Sequence, residues 1–177
     1  MTESSNEGRS ANLLGAFVLA AGDRLTGATG RATGRVPSDT AALVVLTTTL
    51  GGTSQDTLGR VLGLTQPGAA RLVIRLVDAG LADRRAGQDG RTHAIRVTAT
   101  GRAAAGQALS ARQATAEALL DPLDAGERAQ LTGLLEKLLG GATSSRADTL
   151  RICRLCDPGA CGHYEGRCPV TLAAQER

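Results

Sequence analysis

LGRVLGLTQPGAARLVIRLVDAGLADRRAGQDGRTHAIRVTATG, residues 58–101, changes its hydrophobic period once, and that change decides the fold. Leu58 to Leu62 closes a short helix that starts at Thr53 or Ser54, and Gly63, Leu64 and Thr65 make a tight corner. Thr65 caps the next helix, with Pro67 in its first turn, where a missing N–H costs nothing. Ala69, Leu72, Val73, Leu76 and Val77 lie on one stripe of that helix, while Arg71 and Arg75, four apart, project from another face. Gly80 ends it. From there the period becomes two. Leu81–Ala86 and Thr92–Val97 read as strands, joined by Gly87–Gln88–Asp89–Gly90–Arg91 with its Asp-Gly turn signal.

Helix, corner, helix and two-stranded hairpin is the order of a winged helix-turn-helix. A helix fits the major groove of DNA, and an arginine at a hairpin tip fits the narrower minor groove. The first turn of the second helix carries free N–H groups that attract phosphate. Thr65 and Gln66 sit there with short polar groups, Gly68 leaves room for close approach, and Arg71 can make bidentate bonds to guanine. Taken singly, Asp89–Gly90 is only a tight turn, and Arg71 and Arg75 only a solvated face. As an ordered set they point to DNA.

Working outward, residues 1–9 read as a flexible arm, and a first helix starts at Ser10 with Leu13, Leu14, Phe17, Val18 and Ala21 at helical spacing. Gly27 to Pro37 reads as a connection, and Ser38 as the cap of a helix containing Ala42, Leu43, Val45, Leu46 and Leu50. On the other side, Thr98 caps an Ala-rich helix to about Leu120, broken by Asp121–Pro122. A last helix from Asp124 carries the stripe Leu131, Leu134, Leu135, Leu138 and Leu139, and Gly140–Gly141 opens a hinge. The division expected is therefore an arm at 1–9, a dimerisation helix and connection at 10–37 and a winged helix-turn-helix at 38–101. Dimerisation helices and hinge follow at 102–145, and a small Cys-rich tail at 146–177. The fold class is mainly α.

Composition agrees with this frame. The 177 residues are 42% hydrophobic and 21% charged, which excludes wholesale disorder. Aromatics are 1%, only Phe17 and Tyr164 with no Trp, which argues against surfaces that stack bases on rings. The longest apolar run, Leu13 to Ala21, is too short for a membrane span and follows a segment with two acids, Glu3 and Glu7, so it does not read as a signal peptide. A cytoplasmic location is expected. Residues 60–102 hold eight arginines against three aspartates, so this segment is cationic although the whole chain carries only +3. A basic middle in a near-neutral chain suits a polyanion-binding face, although solvated arginines in a coding bias would look the same.

The same stretch closely resembles the MarR family of bacterial transcriptional regulators. The matching pieces are Leu64–Thr65–Gln66–Pro67, Arg71–Leu72–Val73, Ala79–Gly80–Leu81, Asp83–Arg84–Arg85, Asp89-x-Arg91 and Thr98-x-x-Gly101. The likeness spans roughly residues 10–140 and excludes the cysteine tail. It implies that Arg91 enters the minor groove and that Asp89 holds the wing in shape. Recognition-helix roles pass to Thr65, Gln66, Gly68 and Arg71, and phosphate contacts to Arg75, Arg85 and Ser54. It implies a homodimer facing a pseudo-palindromic operator in double-stranded DNA, with half-sites about 10 bp apart. Family members often bind small aromatic acids as effectors, but this chain has few aromatics to line such a pocket.

Cys153-x2-Cys156-x4-Cys161-x6-Cys168-Pro169 places four thiols within a short, glycine-rich stretch. In a reducing compartment such thiols serve as metal ligands or redox groups rather than disulfides. Structural zinc sites usually separate two knuckles by a dozen or more residues. The close, uneven spacing here and the Pro after the last Cys are nearer to iron–sulfur ligation, though they match no ferredoxin spacing. Zinc held by four thiolates and bare redox thiols remain as alternatives. His163 reads as a bystander, with Arg151, Arg154 and Arg167 offsetting the thiolate charge. A tail that only staples the C-terminus is the plain reading; a hinge-linked sensor that biases the recognition helices is the sharper one.

The function expected is a transcriptional regulator, a repressor, with a metal- or redox-linked response. A small electron-transfer iron–sulfur protein on a helical scaffold is the alternative, but it leaves the Thr65–Gln66–Pro67 corner and the Asp89-x-Arg91 wing without a use. No nucleophile–base set, phosphate loop or paired carboxylates indicate an enzyme, and His93 on the second strand reads as a surface residue.

Overall fold

A computed structural model describes residues 3–86 and 93–176 of the chain. In order, the elements are α1 (Glu3–Thr33), α2 (Pro37–Thr48), β1 (Thr53–Ser54), α3 (Gln55–Leu62), α4 (Gln66–Asp78), β2 (Ala82–Ala86), β3 (His93–Val97), α5 (Ala99–Leu120), α6 (Ala125–Ala142), α7 (Arg146–Ile152) and α8 (Pro169–Gln175).

The core is organised around α2. Its run from Ala41 to Leu46 is apolar on every side, and every residue of it is buried. A helix apolar all round must be enclosed, and α1, α3, α4, α5 and β3 all pack on it. Leu58, Leu72, Val73, Leu76 and Ile95 complete the interior. Each fully buried aliphatic side chain contributes about 1.5–3 kcal/mol relative to exposure.

The caps read at Thr65 and Thr98 are present, and Ser54 caps α3. Ser54 Oγ accepts from the Thr57 amide, Thr65 Oγ1 from Gly68 and Thr98 Oγ1 from Gly101. Asp124 and Glu127 form a reciprocal capping box. Gly63, at φ +66°, closes α3 in the left-handed conformation that a side chain would strain. The turn then brings α4 so close to α3 that a Cβ on Gly59 would lie 2.9 Å from Ala69 Cβ.

Four boundaries differ from the sequence reading. The first helix starts at Glu3 rather than Ser10 and runs through Gly27–Thr33, the stretch read as a connection. Packing of α1 along α5 holds this part, with Thr29 buried and the Thr29 and Thr33 hydroxyls donating back to Thr26 and Thr29 carbonyls. The cap of α2 is Val36, with Pro37 as its first residue, so Ser38 lies inside the helix. Gly140–Gly141 belong to α6, which ends at Ala142; the bend comes at the buried Thr143, and Ser145 caps α7. Finally, the wing hairpin gains a third strand. Thr53 and Ser54 pair with Ile95 and Ala94, giving an antiparallel sheet ordered β1-β3-β2. Gly52, at φ +81°, turns the chain into that pairing.

Two apolar faces stay open. On α1, Leu13, Leu14, Phe17, Val18 and Leu19 are 48–71% exposed. On α6 no residue is buried, and Leu134, Leu135, Leu138 and Leu139 are exposed. Among the described residues no helix is long and apolar enough to cross a membrane.

Candidate nucleic-acid interface and cysteine cavity

The first turn of α4 is presented to solvent. Thr65, Gln66 and Pro67 are exposed, and Arg71 lies one turn further on the same open helix. The Thr65 hydroxyl accepts the Gly68 amide at 3.3 Å, which leaves its proton free to donate outward. Gly68 has a second duty besides room for approach: a Cβ there would sit 3.2 Å from Thr65 Oγ1 and crowd the cap.

Arg75 is placed differently from Arg71. Its Nε and Nη2 donate to the two carboxylate oxygens of Asp39, at 3.1 and 2.5 Å. Asp39 is buried in the first turn of α2. This pair raises the Arg75 pKa, chiefly through the hydrogen bonds, and ties the recognition helix directly to the hub. Only part of the guanidinium therefore remains for a phosphate. Ser54, too, is engaged: its hydroxyl donates to Thr57 Oγ1 while capping α3. Arg60 Nη2 donates to the same Thr57 hydroxyl and is itself exposed.

Arg85 is exposed on β2, opposite Ala94 of β3. Ala86 pairs with His93, which stands exposed at the start of β3. Asp89 and Arg91 lie outside the described residues.

The four cysteines, none of them in a disulfide, line one cavity of about 80 Å³. Cys153 ends α7 and Cys168 precedes α8, while Cys156 and Cys161 lie on the intervening turns. Pro169 is the first residue of α8, so the Cys-Pro step has a helix-starting role of its own. The other walls come from Thr48 and Thr49 at the end of α2, from Thr149 and Leu150 of α7, and from Pro158, His163, Tyr164 and Thr171. Among the described residues no three or more His, Cys, Asp or Glu side chains are arranged to hold a single metal ion. The thiols line this space in two close pairs, Cys153 with Cys156 and Cys161 with Cys168. Thr149 Oγ1 is buried with no hydrogen-bond partner among the described residues.

The thiols interact electrically. A hydrogen bond from Cys153, with Arg112 and Arg154 nearby, lowers the Cys156 pKa to about 7 against its burial, and Cys153 moves up in return. Burial raises Cys161. His163 Nδ1 lies 3.1 Å from Thr171 Oγ1. Of the arginines expected around the thiols, Arg154 faces Cys156, whereas Arg167 is paired with Glu165 and Arg151 faces α3. Arg112 of α5 was not foreseen, nor were Asp39, Thr48, Thr49 and Thr149. Asp39 meets Arg75 and Arg112 nears Cys156 across the fold, and the three threonines come to the cavity from two helices far apart in the chain, so no local spacing announces them.

An exposed polar helix start, braced by a preceding helix and followed by an antiparallel wing, defines a winged helix regulator of the DNA-binding class. No family model and no curated protein matches the chain. Solved structures do. A probable transcriptional regulator from Pseudomonas aeruginosa is 31% identical, with TM-score 0.54 over 70% of this chain and 95% of that one. The Mycobacterium tuberculosis MarR family protein Rv2887, solved in complex with p-aminosalicylic acid, is 26% identical, with TM-score 0.54 over 71% and 97%. A MarR family regulator from Rhodococcus sp. RHA1 shares the fold at 21% identity and TM-score 0.57, over 72% and 93%. The chain belongs to the MarR family of transcriptional regulators and is not an enzyme. These neighbours are covered almost whole, so part of this chain has no counterpart in them.

Proposed function

We propose that the chain represses transcription by binding a pseudo-palindromic operator as a homodimer, with its affinity linked to a thiolate-held iron–sulfur cluster or zinc in the tail. The observation that carries the DNA reading is the solvent-facing turn Thr65–Gln66–Pro67, held in a fixed attitude by Gly59 against Ala69 and by Arg75 on Asp39. A recognition element must be rigid before it meets the duplex, since ordering it on contact weakens binding. Thr65 and Gln66 would reach base edges or phosphate, and Arg71 a guanine in the major groove. Arg85, the open part of Arg75 and, from the wing, Arg91 shaped by Asp89 would meet the backbone and minor groove. The Ser54 hydroxyl would donate to a phosphate only by releasing its proton from Thr57. The open faces of α1 and α6 support a second copy as the dimer partner.

The test uses a duplex enriched from a random pool by the wild-type protein. Arg71→Ala should weaken binding by about 1–3 kcal/mol and relax preference at one base position. Arg85→Ala should weaken all duplexes alike and reduce the slope of log affinity against log salt by about 1. Fluorescence anisotropy at several salt concentrations reads both. Unchanged affinity in both variants, or no duplex retained by the wild type, would overturn the reading.

A further inference from the structure

We infer that the four cysteines hold an iron–sulfur cluster that acts as a keystone between the DNA-binding helices and the dimerisation helix. The inference deepens the regulatory reading above and rests on it only for the DNA readout.

Three observations carry the choice of ligand. The first is space. A structural zinc site closes on itself, with four sulfurs about 2.3 Å from one ion and no room left over. Here the thiols line about 80 Å³, several times the roughly 10–15 Å³ that one water needs. They approach one another in two hydrogen-bonded pairs, Cys153 with Cys156 and Cys161 with Cys168, around this space. A polynuclear cluster held by two pairs of thiolates would occupy such a space. The second is the orphan hydroxyl. Thr149 Oγ1 belongs to a residue lining this cavity and is buried without a partner. Leaving such an atom unpaired is unfavourable unless something accepts its proton. Inorganic sulfide is an acceptor, and hydrogen bonds to cluster sulfurs are a normal part of such sites. The third is charge. Arg112 of α5 lines the adjoining cavity behind Cys156 and Cys161, and Arg154 also faces Cys156. Both offset the negative charge of four thiolates.

The keystone role follows from what the two ends of the cysteine segment are attached to. Cys153 ends α7, which packs on α3, the bracing helix of the helix-turn-helix. Cys168 is the N-cap residue of α8, which packs on α6, the helix whose leucines stay exposed. The cavity also touches Thr48 and Thr49 at the end of the hub helix. Four bonds into one cluster therefore fix α3, α2 and α6 relative to one another. Without the cluster, the turns 153–168 are left with few buried apolar residues to hold α7 and α8 together. This locates the coupling in direct packing, and not in a glycine hinge, since Gly140–Gly141 are helical.

The test starts with the full chain purified without oxygen from iron-replete cells, then stripped with ferricyanide and a chelator. Loaded and stripped forms are the same polypeptide, so misfolding of a variant does not enter. The loaded protein should be brown, with iron and acid-labile sulfide in equal amounts, and the Cys153, Cys156, Cys161 and Cys168 to Ser variant colourless. Hydrogen–deuterium exchange should speed up at least tenfold on stripping in both α3 and α6. Affinity for the selected duplex should fall about tenfold. A colourless protein with one zinc per chain overturns the cluster. Exchange changes confined to residues 146–175 overturn the keystone. If the loaded protein retains no duplex at all, the DNA reading fails by itself, while colour and exchange still decide this inference.

Discussion

Asp39 and Gly101 show how single residues set the geometry of the DNA-facing surface. Asp39 is buried, and Arg75 supplies both of its strong hydrogen bonds, with Ser38 adding a longer contact at 3.4 Å. Removing the cation by Arg75→Ala leaves a buried carboxylate uncompensated. Because Arg75 itself is 46% exposed, the loss should be below that of a fully buried pair, about 1–3 kcal/mol. Gly101 is more severe: a Cβ there would collide with the Leu81 carbonyl oxygen, a backbone atom that cannot step aside. Gly101→Ala should cost about 3 kcal/mol. Urea unfolding midpoints check both, and midpoints equal to wild type would refute the two packing accounts. At this scale the sequence was a good guide wherever the cause is local. Ser54, Thr65, Thr98 and Asp124 cap because a short polar side chain reaches its own backbone three residues on. Asp39 with Arg75 was invisible, since the partners are 36 residues apart.

Elements were legible in proportion to how far their own pattern determines them. α4, with its alternating buried stripe and exposed arginines, was readable throughout. So was α5, from the Thr98 cap to the Asp121–Pro122 break. The glycine- and threonine-rich end of α1 was not, because its helicity comes from lying along α5 and from hydroxyls turned back onto the helix. Strand β1 was missed for a similar reason: two residues have no period, and only β3 makes them a strand. α7 offers a pH test at this scale. Asp148 accepts from the Ser144 and Ser145 hydroxyls at 2.6 and 3.0 Å, and these bonds, Ser144 first, lower its pKa. A carboxylate with a depressed folded pKa contributes fully above its unfolded value, about 3.9, and the contribution is lost as pH falls through the folded value. Amide exchange at the start of α7 should therefore hold steady at neutral pH and rise only in acid, beyond the intrinsic change. Asp148→Asn should remove that acid step; an identical acid step in the variant would show that Asp148 is not its source.

For the molecule as a whole, the two outlying faces matter most. Phe17 on α1 and Leu138 on α6 are each 52% exposed, in a chain whose other large apolar residues are mostly packed. Apolar area of that kind is retained where it is covered by another surface. Phe17→Asp with Leu138→Asp should convert the protein to an 18.0 kDa monomer in sedimentation. The wild-type melting temperature should rise with protein concentration, because association stabilises only the folded form. A wild type that sediments as a monomer at all concentrations would rule out the dimer. The winged frame was readable from residues 58–101, but the meeting of the tail with α3 and α6 was not: contacts between α7 and α3 or α8 and α6 leave no trace in spacing.

The enclosure of α2 has a consequence for how much the chain can vary. From Ala41 to Leu46 the hub presents no outward side, so any exchange in that turn and a half alters interior volume. A solvent-facing helix can absorb drift along its wet flank; this one has none. Its tolerance should be set by size alone, without the three-to-four-residue rhythm that most helices show.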